Sequence, residues 1–146
     1  MSFQWLNMRI SEENDRRNRE KQIMERLPGA LEEVHQAIIL CIESYRQAFG
    51  SDAAEIYVGS DKIRIAVRME QEGRWQQSSR VEVAIVPSIP GFQIDGGTGG
   101  EPLIIEVGVL PGGNLFYRDR AKDQYVTMDE LTKRTLDRAL FPNLKE

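Results

Sequence analysis

The strongest pattern in the chain is a run of apolar residues at three- and four-residue steps: Ala30, Leu31, Val34, Ile38, Cys41, Ile42, Tyr45, Ala48 and Phe49. That period predicts an amphipathic helix with a broad apolar face, and Gly50 is placed to cap its end. Upstream, Glu12 to Gln22 contains no apolar residue. Glu12–Arg16, Glu13–Arg17 and Asp15–Arg19 are spaced i,i+4 with the acid first, an order that supports a helix by a few tenths of a kcal/mol per pair. A polar helix is predicted there. Leu27-Pro28-Gly29 interrupts it or starts the next one, since proline is tolerated in a first helical turn.

Beyond Gly50 the period changes to two. Ile56 and Val58 share one face of a first strand. Ile63, Ile65, Val67 and Met69 share a face of the second, with Arg64, Ala66, Arg68 and Glu70 on the other. Gln71 to Ser79 reads as a polar turn region. Val81, Val83 and Ile85 mark a third strand, and Leu103, Ile105, Val107 and Val109 a fourth. Pro111 to Asn114 reads as a hairpin loop, and a fifth strand begins at Leu115. Alternation of this kind implies an antiparallel sheet covered on one face. Thr127-Met128-Asp129-Glu130 is a capping box that opens a closing helix, with Val126 and Leu131 as its hydrophobic staple.

The expected fold class is therefore α+β. It has two layers: a long N-terminal helix packed on a four- to five-stranded antiparallel sheet, with a C-terminal helix. Residues 1–22 form an arm or charged helix, and 23–146 a single domain. Helix followed by meander resembles a cystatin-like arrangement in outline, which brings no function with it.

Composition narrows the class further. The chain has 146 residues, 40% apolar and 29% charged, with net charge −4. That suffices for one hydrophobic core and is too apolar for disorder. The net charge is −1 over residues 1–50, −3 over 51–126 and zero over 127–146, so no tail is a charge reservoir. One cysteine excludes an internal disulfide, and no secretory signal pattern opens the chain, so a cytoplasmic location is expected. No membrane role is expected, because the apolar runs are too short to span. Nucleic acid is not expected, since mild acidity opposes phosphate binding.

Four features could carry chemistry. Eight of the 12 glycines fall between Pro87 and Gly113. The centre of that stretch, with Asp95, Gly97 and Gly99, could cradle an anion on backbone N–H groups, but Glu101-Pro102 follows where the phosphate motifs require a helix. The bland reading is a long strand connection. His35 lies at the edge of the apolar stripe, and Cys41 within it. Neither has a partner at metal or dyad spacing, so both read as packing residues.

The polar sheet face carries Arg64, Arg68, Glu82, Glu106 and Arg118. Cross-strand ion pairs on a solvated surface are the bland reading, and a shallow site for an anionic ligand the functional one. Were the third and fourth strands adjacent, Glu82 and Glu106 would be a carboxylate pair for acid/base work. Lastly, Phe3, Trp5, Leu6, Met8 and Ile10 are costly to leave in water, and aromatic and Met residues favour interface cores.

The expectation is a non-enzymatic interaction or assembly module, self-associating as a homodimer through this arm or docking on a protein partner. No cofactor or metal is expected. The alternative is a binder of small anions, or an enzyme, built on the 91–101 loop and the Arg/Glu face.

Overall fold

Helix α1 runs from Gln4 to Phe49 without a break, in a computed structural model that describes residues 2–96 and 100–144. The expected interruption at Leu27-Pro28-Gly29 does not occur. Pro28 removes one helical hydrogen bond, to the Met24 carbonyl. Pro28 and Gly29 are both exposed, so water can serve that carbonyl. Leu27, Ala30 and Leu31 on the opposite side are buried, and their packing outweighs the local propensity. Gly50 ends the helix with its N–H donating to the Arg46 carbonyl at 2.8 Å and a φ of 119°.

Seven strands follow, β1 (Ala54–Val58), β2 (Lys62–Gln71), β3 (Arg74–Val86), β4 (Gly91–Asp95), β5 (Leu103–Val109), β6 (Leu115–Asp119) and β7 (Gln124–Val126). They form one antiparallel meander in sequence order. The sheet therefore exceeds the expected four or five strands among the described residues by β4 and β7, and its second and third strands are longer than expected. The polar segment 71–79 is a hairpin, with Gln71 opposite Arg74 and positive φ at Glu72 and Gly73. Two such residues make the turn whose twist matches the strands. Next, β4 lies inside the glycine- and proline-rich stretch expected to be a loop. Its Gly91 lies against β5, where an added Cβ would come within 2.0 Å of the Ile105 carbonyl oxygen. The other added strand is β7, too short to show a pattern.

Helix α2 (Met128–Leu140) closes the chain. Its Thr127 cap forms, with the Glu130 N–H donating to Thr127 Oγ1 at 3.2 Å. The reciprocal half of the capping box does not. Glu130 turns to Arg134, at 3.6 Å. Both helices lie on one face of the sheet. The core between the layers holds Val34, Ile38 and Ile42 from α1, Leu131 and Leu136 from α2, and Ile63, Ile65, Val83, Phe92, Ile94 and Ile105 from the strands.

Polar ties also cross the layers, among them Ser79 Oγ of β3 donating to the Ala139 carbonyl of α2 at 2.9 Å. Tyr117 Oη donates to Glu33 Oε2 at 2.6 Å, linking β6 to α1. Asp119, 1% exposed, accepts from Arg134 Nη1 at 2.5 Å, linking β6 to α2. No helix is long and apolar enough to cross a membrane among the described residues.

Candidate functional site

Strand alternation places Glu55 and Tyr57 of β1, Arg64 and Arg68 of β2, Arg80 and Glu82 of β3, Glu106 of β5 and Arg118 of β6 on the face that no helix covers. The five sequence-predicted sheet residues thus share a face but not a site. They separate into three clusters. At the β1 end, Arg68 grips Glu55 through two bonds, 2.6 and 3.1 Å, and Tyr57 donates to the same carboxylate. In the middle, Arg64 and Arg80 flank Glu82 at 3.6 and 3.2 Å. Towards the other edge, Glu106 accepts from Arg120 at 2.8 Å and from Arg118 at 3.1 Å, and Arg118 also bonds Asp123. Arg68 on β2 and Arg118 on β6 stand four strand spacings apart, about 19 Å across the sheet, and are further offset along the strands, Arg68 in the row of Gln77 and Arg118 in that of Val86.

The proposed Glu82–Glu106 pair is excluded by β4, which lies between their strands. Glu82 faces Asp95 across one side of β4, and Gly91 faces Glu106 across the other. Their separation is two strands across and four residues along, about 10 Å by 13 Å. The carboxyl opposite Glu82 is instead Asp95, which takes the Gln93 amide at 3.4 Å.

The electrostatics follow from these pairings. The Arg120 guanidinium, with Arg118 behind it, holds the Glu106 carboxyl below the usual carboxylate range against the opposing effect of burial. Glu55 is lowered by the bonds from Tyr57 and Arg68. Arg68 and Arg118 are raised by their carboxylate partners. The guanidinium forks are filled by the chain's own acids, and an incoming anion would have to displace them. Arg64 differs, since its Nε is shielded from solvent without a hydrogen-bond partner among the described residues.

The loop candidates resolve in part. Asp95 ends β4, while Gly97 and Gly99 lie outside the described residues. Gly96 has φ 88°, and a Cβ there would meet the Arg80 carbonyl oxygen at 2.1 Å, so this glycine serves a close strand approach. His35 lies 3.5 Å from Glu32 and makes no hydrogen bond through its buried Nδ1. Among the described residues, no group of three or more His, Cys, Asp or Glu is placed to hold a metal.

Sequence reasoning missed an apolar groove of about 610 Å³ between α1 and α2. It is lined by Leu40, Cys41, Tyr45, Phe49, Leu136 and Phe141. Tyr45, Phe49 and Phe141 form one aromatic cluster, with centroids 4.8–6.3 Å apart. Its signal in sequence was the excess of apolar positions late in α1, more than one sheet face can cover.

The remaining candidate is the start of α1. Its first buried residue is Leu27, with Ile23 partly packed. Residues 4–22 therefore extend about 28 Å beyond the body at 1.5 Å per residue. Among the described residues, no side-chain bond links this segment to the body. Its ion pairs are its own: Arg9–Glu12, Arg16–Glu13, Arg16–Glu20 and Arg17–Glu13. Bonds from Arg16 and Arg17 lower Glu13 to about 2. Phe3, Trp5, Leu6, Met8 and Ile10 are 40–66% exposed. No family model, curated protein or solved structure matches the chain.

Proposed function

We propose that the protein is a non-enzymatic assembly module that self-associates through the projecting start of α1, residues 1–22, with residues 23–146 as the body. The observation that carries this reading is the apolar tip. Five large apolar side chains cluster within eight residues and stand in solvent at the end of an unsupported helix. A mostly polar helix of this length is marginal in water on its own. Internal ion pairs contribute only a few tenths of a kcal/mol each, so burial of the tip is the natural source of its stability. The sheet face offers less, because its charges are spent on one another.

The test is the mass in solution by light scattering across a dilution series. A dimer of the 16.7 kDa chain is expected, dissociating on dilution. A chain that stays monomeric at roughly 100 μM has less than about 5 kcal/mol of self-affinity, and the reading fails.

A second reading, a binder of small anions on the open face beside β4, draws on Arg64, whose guanidinium meets Glu82 only at 3.6 Å and is part exposed. Phosphate or citrate at 100 times its dissociation constant would add about 2.7 kcal/mol, read as a rise of several degrees in Tm. No shift with either removes it.

A further inference from the structure

The projecting helix carries a seam that continues into its packed half. Phe3, Leu6, Ile10, Glu13, Arg17, Glu20, Met24 and Leu27 follow one another at alternating three- and four-residue steps. That is the 3.5-residue period of a coiled-coil seam, apolar at both ends and charged in the middle. Met24 is 43% exposed, while Leu27 is where the helix enters its own body.

From this pattern we infer that the partner is a second copy of the chain, its α1 lying antiparallel, in the register where facing positions sum to 30. The inference rests on the self-association proposed above and specifies its geometry. In that register Leu6 faces Met24 of the second copy, Glu13 faces Arg17, Ile10 faces Glu20, and Phe3 reaches the edge of the other body at Leu27, which is 2% exposed. Two-fold symmetry repeats each pair. The charged middle becomes two opposite-charge pairs across the seam, which Glu13 and Arg17 reach by turning outward from their present bond at 3.1 Å and, for Glu13, from the Arg16 bonds at 2.7 and 3.0 Å. Arg17 is 70% exposed and free to do so.

The other arrangements are worse. One heptad shorter, Phe3, Leu6 and Ile10 face Glu20, Arg17 and Glu13 of the second copy, so apolar meets charge at all three positions, against Ile10 alone in the chosen register. One heptad longer, Phe3, Leu6 and Ile10 face Val34, Leu31 and Leu27, all buried in the body, so three apolar positions are blocked where the chosen register blocks Phe3 alone. A parallel pair sets Glu13 against Glu13 and Arg17 against Arg17, like charge on like. The chosen register stops each tip at the body of the other copy, so the length of the arm matches its own overlap. Closed two-fold pairing of this kind makes a dimer and no filament.

Two variants test it, Glu13→Arg and Arg17→Glu. Each alone sets like charges across both seam pairs, and its dimer dissociation constant should rise at least tenfold. Mixed one to one, they should form a heterodimer near wild-type affinity, because both cross-seam pairs are attractive again. Both variants lose the Glu13–Arg17 bond within the helix, and Glu13→Arg loses those from Arg16 as well, but neither loss is restored by mixing, so helix loss alone gives no recovery. The antiparallel sense is read with Ser2→Cys in a Cys41→Ser background, which should form no disulfide-linked dimer under mild oxidation. Trp5→Ser should leave the dissociation constant within about threefold, since Trp5 lies off the seam.

Single variants that dimerise like the wild type, or no heterodimer on mixing, overturn the register. A Ser2→Cys-linked dimer overturns the antiparallel sense. Loss of dimer in Trp5→Ser places the tip in a groove of the other copy and overturns the seam. A monomeric wild-type chain instead overturns the self-association itself.

Discussion

Removing Arg134 should cost far more than neutralising Asp119, although the two form one ion pair. Asp119 is 1% exposed and sits between β6 and α2. Its two oxygens take Arg134 Nη1 at 2.5 Å and the Lys122 N–H at 3.3 Å. Arg134 also reaches Gln124 at 3.2 Å, Glu130 at 3.6 Å and solvent, with 22% of its side chain exposed. In Arg134→Met the carboxylate stays buried with a single long bond. Breaking a buried pair this way costs about 3–5 kcal/mol, and the partial exposure of Arg134 places the expectation near 3. In Asp119→Asn the acceptor oxygen remains and Arg134 keeps its other partners, so about 1–2 kcal/mol is expected. Removing both in Asp119→Leu/Arg134→Met should recover most of the loss, because no buried charge is left over. Urea unfolding measures this directly. With a slope of about 2 kcal/mol/M, the Arg134→Met midpoint should fall by about 1.5 M at unchanged slope. An Asp119→Asn loss equal to or above that of Arg134→Met would refute the reasoning, as would a double variant no better than Arg134→Met.

Other outcomes follow from single contacts. Gly91→Ala drives a Cβ into the Ile105 carbonyl oxygen at 2.0 Å, whereas at Gly108 the obstacle is the ring of Phe116. Backbone cannot turn aside and a side chain can, so thermal melts should show a loss above about 3 kcal/mol for Gly91→Ala and about 1–3 for Gly108→Ala. Tyr117→Phe gives up the bond to Glu33 and should cost about 1 kcal/mol in urea unfolding. Burial first, and then that bond, hold the Tyr117 phenol far above its usual range. A raised folded value means stability present at neutral pH and lost as the pH climbs past about 10, and this alkaline loss should shrink in the Phe variant. Glu106 is shifted the other way, downward by Arg120 and then Arg118. Its contribution is present above about pH 4.3 and lost as the pH falls through the lower folded value. Glu106→Gln should therefore be less stable at pH 7 and show a flatter acid limb in melts from pH 6 to 3.

The candidate site was legible only as far as periodicity reaches. Alternation placed Arg64, Arg68, Glu82, Glu106 and Arg118 on one face, because a strand assigns its faces by parity. It could not say how far apart they stand, since that depends on how many strands lie between them. β4 was hidden by its own composition. Glycines that normally signal a loop are needed here for close strand approach, at Gly91 against Ile105 and at Gly96 against Arg80. The Asp119–Arg134 tie and the α1–α2 groove left no trace in local pattern, because each joins elements distant in sequence. The seam on α1 left a trace that was easy to overlook, its apolar ends being separated by three charged positions.

The chain by itself determined the helices and five of the seven strands, the covered and open faces of the sheet, the Gly50 and Thr127 caps and the unpacked apolar residues at its start. These depend on neighbours within a few residues, where steric and hydrogen-bonding rules act directly. Tertiary structure decided the rest. It carried α1 through Pro28, because burial of Leu27, Ala30 and Leu31 outweighs one missing hydrogen bond. It drew β4 into the sheet between β3 and β5, which separated Glu82 from Glu106. It also left residues 4–22 without a body to pack on. Whether an apolar side chain is core or surface depends on what the rest of the chain can bring to it, and here the sheet ends before the helix does.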